Sequence, residues 1–221
     1  MTNKNIEAAQ FIQEGKLEEA ATLLNEAIEE NPKDALAYLN FGHLLSISGD
    51  KDRAFIFYNR AIEIDPTLAT AYYGAGNTYF DQEKYQEAIE SFKKAVENGL
   101  IEADAYFMLG LCYYNLGQLP YALANFKTAT EKNPKDADAN FQLGLVLAQL
   151  EQVDEAIIVL EKVIQLDETH ADAYYNLGVA YAFKDDAEKA LEMFERALEL
   201  QPGHLLAGNG KKQLEALLRE Q

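Results

Sequence analysis

Tryptophan is absent from this 221-residue chain, cysteine occurs once and proline only five times. The lone thiol, Cys112, excludes an intramolecular disulfide, and no paired Cys or His offers metal-ligand spacing. Beside Leu111 and Tyr113, Cys112 reads as a small buried apolar side chain. Bases are scarce as well: 19 Lys and Arg stand against 37 Asp and Glu, a net charge of −18. A nucleic-acid backbone would be repelled, and no Lys/Arg stripe compensates, so nucleic acid is excluded as the expected partner. No run approaches the ~18 apolar residues that a membrane span needs. Met1-Thr2-Asn3-Lys4 opens no apolar stretch of signal-peptide type. The expectation is a soluble cytoplasmic protein without a membrane partner.

Catalytic constellations are missing too. Gly74-Ala75-Gly76 lacks the third glycine of a dinucleotide fingerprint, and Gly210-Lys211 lacks the rest of a phosphate loop. The three histidines are too scattered for a triad or a metal cage. His170 and His204 read as solvated loop residues. Neither enzymatic activity nor a cofactor is expected.

What the chain does have is a period of 34 residues. Gly42 recurs as Gly76, Gly110, Gly144 and Gly178, and Ala54 as Ala88, Ala122, Ala156 and Ala190. Ala61, Ala95, Ala129, Val163 and Ala197 keep the same register. A fixed period of this size marks stacked repeats, each contacting its neighbours, rather than a globule around one site. Six units fit: 1–34, 35–68, 69–102, 103–136, 137–170 and 171–204.

Within the unit 171–204, Tyr174, Leu177, Gly178 and Tyr181 fall three or four apart, one face of a helix. Asp186 is placed to cap a second helix, whose inner face is Ala190, Phe194 and Ala197, and Pro202 closes the unit. Each repeat is therefore helix–turn–helix, and the chain is all-α. The glycine and the alanine at unit positions 8 and 20 mark where the two helices touch, and position 24 (Tyr58, Phe92, Phe126, Leu160, Phe194) supplies a large knob. Gly110→Leu is expected to overpack that contact. The third unit ends on Asn98-Gly99-Leu100 instead of proline, and Gly99 suits a left-handed helix stop. Residues 205–221 read as an amphipathic capping helix whose start is weakened by Gly208 and Gly210.

Tyr106, Leu109, Gly110, Tyr113, Ala122, Phe126, Ala129 and Pro134 together resemble the tetratricopeptide repeat family, in its stand-alone bacterial form. The resemblance covers residues 1–204. It implies a right-handed superhelical solenoid of six repeats whose concave face, lined by the first helix of each pair, holds a partner peptide. It also implies which unit positions line that face: 2, 5, 6, 9, 12 and 13. Position 5 supplies Leu39, Tyr73, Phe107, Phe141 and Tyr175, and Phe80, Leu111, Tyr114, Leu145, Val179 and Phe183 add apolar surface. Asn40, Asn77, Asn115, Gln142, Gln149 and Asn176 interleave amides that can donate to and accept from a peptide backbone. Asp81, Asp104, Asp138 and Asp172 are the acids there, His43 is the one histidine, and no Lys or Arg falls at these positions. Missing cations argue against the carboxylate clamp by which some family members grip chaperone tails. The expected function is a protein-interaction adaptor for a peptide or helix, with bases flanking its apolar anchors. Self-assembly into a homo-oligomer, through this face or the terminal helix, is the alternative.

Overall fold

The structure is a computed structural model that describes residues 4–219. Residues 1–3, at the start of the first expected unit, and 220–221, at the end of the expected cap, lie outside the described residues. Among the described residues there are thirteen helices and no strand. The first six are α1 (Lys4–Gln13), α2 (Leu17–Glu30), α3 (Ala35–Ile47), α4 (Lys51–Ile64), α5 (Ala69–Asp81) and α6 (Tyr85–Glu97). Then follow α7 (Ala103–Asn115), α8 (Leu119–Lys132), α9 (Ala137–Gln149), α10 (Val153–Leu166), α11 (Ala171–Phe183), α12 (Ala187–Leu200) and α13 (Leu205–Arg219). Six helix pairs and one extra helix result, and α3, α5, α7, α9 and α11 start in the same phase of the period.

The turn inside each pair places one residue in the left-handed region: Gly15, Gly49, Glu83, Gly117, Glu151 and Asp185. The next amide then bonds a carbonyl five residues back, as in Asp50 N to Leu45 O (2.9 Å) and Gln152 N to Leu147 O (2.9 Å). These bonds satisfy carbonyls that the helix end would leave open. Glycine adopts that conformation freely, whereas Glu83, Glu151 and Asp185 each cost ~1–2 kcal/mol in sterics. Helices α4 and α12 then start on a side-chain cap: Asp50 accepts from Arg53 N and Asp186 from Lys189 N. Gly99 closes α6 as expected, with φ +103° and Leu100 N bonded to Ala95 O at 3.0 Å.

The chain forms two compact units, residues 1–116 and 117–221. In both, the small columns are the interior: Ala20, Ala54, Ala88, Ala122, Ala156 and Ala190 are each 0% exposed. In the first unit, a Cβ on Gly42 would stand 2.8 Å from the Tyr58 ring and 3.2 Å from Ala54 O, and one on Gly76 would stand 2.7 Å from the Phe92 ring. In the second unit the same contact pairs Gly144 with Leu160 (2.8 Å) and Gly178 with Phe194 (2.6 Å). Position 8 is glycine because the position-24 side chain of the same pair lies on its backbone. The helix-interior cost of glycine, up to ~1 kcal/mol against alanine, is offset by that packing.

Cys112 is buried, and burial pushes its thiol up to about 12, which suits a packing residue and not a nucleophile. Helix α13 packs on α11 and α12, burying Ala207. Gly210 departs from the expectation of a simple weak point. Its Cα lies over the Phe194 ring, so close that a Cβ would be 2.9 Å away. The glycine permits the close docking of α13.

Candidate functional site

In the first unit, α3, α5 and α7 lie in sequential contact and present one continuous face. On it Leu39, Tyr73 and Phe107 are half-buried, as are Asn40, Asn77, Phe80, Leu111 and Tyr114. His43, Asp81, Asp104 and Asn115 are exposed. In the second unit, α11 contacts both α9 and α13. Phe141, Gln142, Leu145, Tyr175 and Asn176 are half-buried there, while Asp138, Gln149, Asp172 and Val179 are exposed. All the expected position-5 side chains thus combine a packed side with an accessible side. Tyr73 leans on Phe92 (centroids 5.5 Å) and Tyr175 on Phe194 (6.1 Å). Packing of this kind fixes the rings, so presenting them costs little side-chain entropy. Phe80 differs: its ring meets Tyr85 of its own pair edge-on at 5.5 Å.

The polar groups are less available than their spacing suggests. Asn115 donates to Leu111 O (2.8 Å) and Asn176 to Asp172 O (2.7 Å), each on its own helix. Asn40 donates to Asn5 O at 3.3 Å. Each of these amides keeps its carbonyl oxygen and a second N–H for a ligand. Burial pushes the Tyr73 hydroxyl above its usual range, the Asp104 charge adds to this, and hydrogen bonding with Asn77 opposes it. Asp81 is bridged by Lys51 from the preceding pair at 2.6 Å. Asp172 is bonded by His204 (3.1 Å) yet keeps 65% of its side chain exposed. Among the described residues of their own units, no such bridge is made to Asp104 or Asp138.

The two late histidines correct the reading of them as solvated loop residues. His170 Nδ1 accepts from Ala173 N at 3.2 Å and caps α11. His204 Nδ1 accepts from Ala207 N at 3.2 Å and is 7% exposed. An imidazole accepting at Nδ1 carries its proton on Nε2, so His204 donates to Asp172. Their rings also buttress the ladder: His170 lies 4.4 Å from Phe141 and His204 5.1 Å from Tyr175, centroid to centroid. Position 34 holds Asp34, Leu68, Glu102 and Asp136 in the other units, so no repeated residue type signalled this role.

A recess opens on this face in each unit, and sequence reasoning missed both. In the first, Leu39, Asn40, His43, Thr70, Tyr73 and Asn77 surround a hollow of about 330 Å³ with Tyr58 and Gly74 at its base. In the second, a hollow of about 430 Å³ lies among Tyr175, Val179, Leu206, Gln213, Leu214 and Leu217, over Phe194 and Gly210. The two share one plan. Gly74 and Gly210 fall in the same phase, position 6, where the other units carry Ile6, Asn40, Met108, Gln142 and Asn176. Each glycine lies against the position-24 ring of the preceding pair: a Cβ there would stand 2.6 Å from Tyr58 on Gly74 and 2.9 Å from Phe194 on Gly210. The missing side chain leaves the space above it open. Two glycines in a column of larger residues were the available signal.

No group of three or more His, Cys, Asp or Glu that could hold a metal occurs among the described residues, and no helix there is long and apolar enough to cross a membrane. Paired helices, small-residue contacts and a face of half-buried rings define a helical-repeat protein. Family models described as tetratricopeptide repeat match residues 35–68, 73–124 and 135–203, and one described as TPR repeat matches 9–46, 57–82 and 110–151. The solved structure of YrrB, described as a TPR protein with an unusual peptide-binding site, is 46% identical, with a TM-score of 0.81. The match covers 86% of this chain and 97% of that one. The chain belongs to the tetratricopeptide repeat family. A crystal structure of MamA is 32% identical over 73% of this chain and 94% of its own, with a TM-score of 0.69. Pseudomonas aeruginosa PilF, 18% identical, shares the fold over 96% of this chain and 97% of its own at a TM-score of 0.79. Curated protein sequences yield no match.

Proposed function

We propose that this chain is a cytoplasmic, non-enzymatic adaptor: six repeats over residues 1–204, capped by 205–221, that hold a partner peptide or helix on the first-helix face. The observation that carries this reading is the position-5 ladder. Leu39, Tyr73, Phe107, Phe141 and Tyr175 are all half-buried, held from behind and open in front. Apolar anchors of the partner would pack on these side chains, amide carbonyls would accept from its backbone, and Asp104 and Asp138 would favour a flanking Lys or Arg. The peptide-binding site described for YrrB, at 46% identity, supports the same reading. Substituting Phe107 and Phe141 together by Ala tests it in a pull-down from the source cell. Loss of partner capture with helicity intact is expected, and undiminished capture sinks the reading.

A second reading is self-association through α13. That helix carries Lys211, Lys212 and Arg219 against Glu215 in an acidic chain, and it exposes Leu206 (58%) and Leu217 (58%). Light scattering over a concentration series separates the two: a mass fixed at 24.7 kDa favours the adaptor, and growth favours assembly.

A further inference from the structure

The Gly74 recess is built more definitely than a stretch of groove. Its base is the Tyr58 ring, 4% exposed, clamped between Gly42 of α3 and Gly74 of α5, where added Cβ atoms would lie at 2.8 and 2.6 Å. Such a base cannot fold upward to fill the hollow, nor drop away under a ligand. Leu39 and Tyr73 form apolar walls, while Asn40, His43, Thr70 and Asn77 bring polar atoms to the rim. This combination of an apolar well and a polar rim suits one large apolar side chain with its own peptide bonds held at the mouth.

Charge narrows the occupant. The lining positions of α3, α5 and α7 contain no Lys or Arg. Of the two carboxylates on this part of the face, Asp81 is already neutralised by Lys51 at 2.6 Å. Asp104 is the other, and it lies close enough for its charge to act on the Tyr73 hydroxyl at the recess wall. We propose that the hollow over Tyr58 and Gly74 is an anchor pocket for one leucine- or phenylalanine-sized side chain of an extended partner segment, whose adjacent Lys or Arg pairs with Asp104. This rests on the adaptor reading and adds to it a fixed point of register and a sequence preference.

Gly74→Leu is a poor test, because the new side chain would collide with Tyr58. Thr70→Phe is better: Thr70 is exposed at the rim, and a ring there plugs the well from outside without entering the core. The probes are fluorescein-labelled peptides Gly-Ser-X-Lys-Ser-Gly-Ser with X as Leu, Phe, Ala or Asp, and a Leu peptide with Glu in place of Lys. They are titrated by anisotropy against the full chain. The Leu and Phe peptides are expected to bind about tenfold more tightly than the Ala peptide. Thr70→Phe abolishes that margin, and both Asp104→Asn and the Glu-containing peptide weaken binding. Equal binding of the Leu and Ala peptides, still reduced by Phe107→Ala, overturns the pocket and leaves the adaptor reading standing. A Leu margin that survives Thr70→Phe also overturns it. If no peptide binds the wild type, the pocket falls together with the reading beneath it.

Discussion

The first and second units each open a hollow by the same device and line it with different side chains. Gly74 over Tyr58 leaves a recess rimmed by Asn40, His43, Thr70 and Asn77. Gly210 over Phe194 leaves one walled by Val179, Leu206, Leu214 and Leu217, with Asn209 and Gln213 beside them. The difference comes from what stands beside the glycine. In the first unit both walls are first helices of pairs, α3 and α5, which bring Asn40, His43, Thr70 and Asn77 to the rim. In the second, one wall is α13, which brings Leu206 and Leu217, each 58% exposed, to the hollow. Backbone packing therefore decides where a hollow occurs, and the neighbouring helix decides what it can hold.

This comparison breaks first at its rigid frame. Gly76→Leu in the first unit and Gly178→Leu in the second drive a side chain into Phe92 and Phe194, and each is expected to cost about 3 kcal/mol in denaturant unfolding. An unchanged midpoint for either would remove the packing argument for the glycine column, Gly110 included. The next test separates the two hollows. Gly74→Ala puts a Cβ 2.6 Å from a ring clamped on both sides, whereas Gly210→Ala meets Phe194 at 2.9 Å near its outer end. Gly74→Ala should destabilise by about 1–2 kcal/mol, and Gly210→Ala should be near neutral because its helix propensity gain, ~1 kcal/mol, offsets the contact. The reverse order would mean that the hollows are not built alike.

A smaller effect concerns the turns. Glu151 holds a left-handed conformation that Gly49 supplies at the same phase. Glu151→Gly should therefore stabilise the chain by about 1 kcal/mol, and Gly49→Ala should destabilise it by a similar amount. Thermal midpoints moving the other way would contradict the assigned turn. The smallest expected effect is confined to alkaline solution. Burial, then the 2.6 Å bond to Glu161, pushes the Tyr181 hydroxyl from 10.0 up to about 12. A raised folded-state value gives stability that is complete below pH 10 and is lost as pH climbs towards 12. Tyr181→Phe should lose stability at neutral pH and flatten the decline over that window. An unaltered alkaline profile would show that the Tyr181 hydroxyl is not raised in the folded chain.

Much of the fold was legible because it repeats. The glycine and alanine columns, the Asp186 cap and the left-handed Gly99 each follow from residue type at a fixed phase, and the helices obey them. For the proposed face, family geometry named positions whose side chains came out half-buried or exposed. The chemistry there was not legible, because that depends on which residues of adjacent repeats come together. Nothing in the local sequence pairs Lys51 with Asp81, 30 residues apart, or sets His204 beside Asp172 and Tyr175. Nor does a helix-interior glycine announce, in one copy, whether it is a weak point or a place where a ring lies on the backbone. Gly74 and Gly210 become informative only when column 6 is read against the rings of column 24 in the preceding repeat.

The second helices offer a rival surface: Ile56 (63% exposed), Tyr121 (60%) and Ile158 (67%) are apolar and accessible. Hydroxyl-radical footprinting of the chain with and without its captured partner decides between the two faces. The account predicts that Tyr73, Phe107, Phe141 and Tyr175 lose reactivity on binding while Ile56, Tyr121 and Ile158 keep theirs. Protection of the second-helix residues with the ladder unchanged would contradict it.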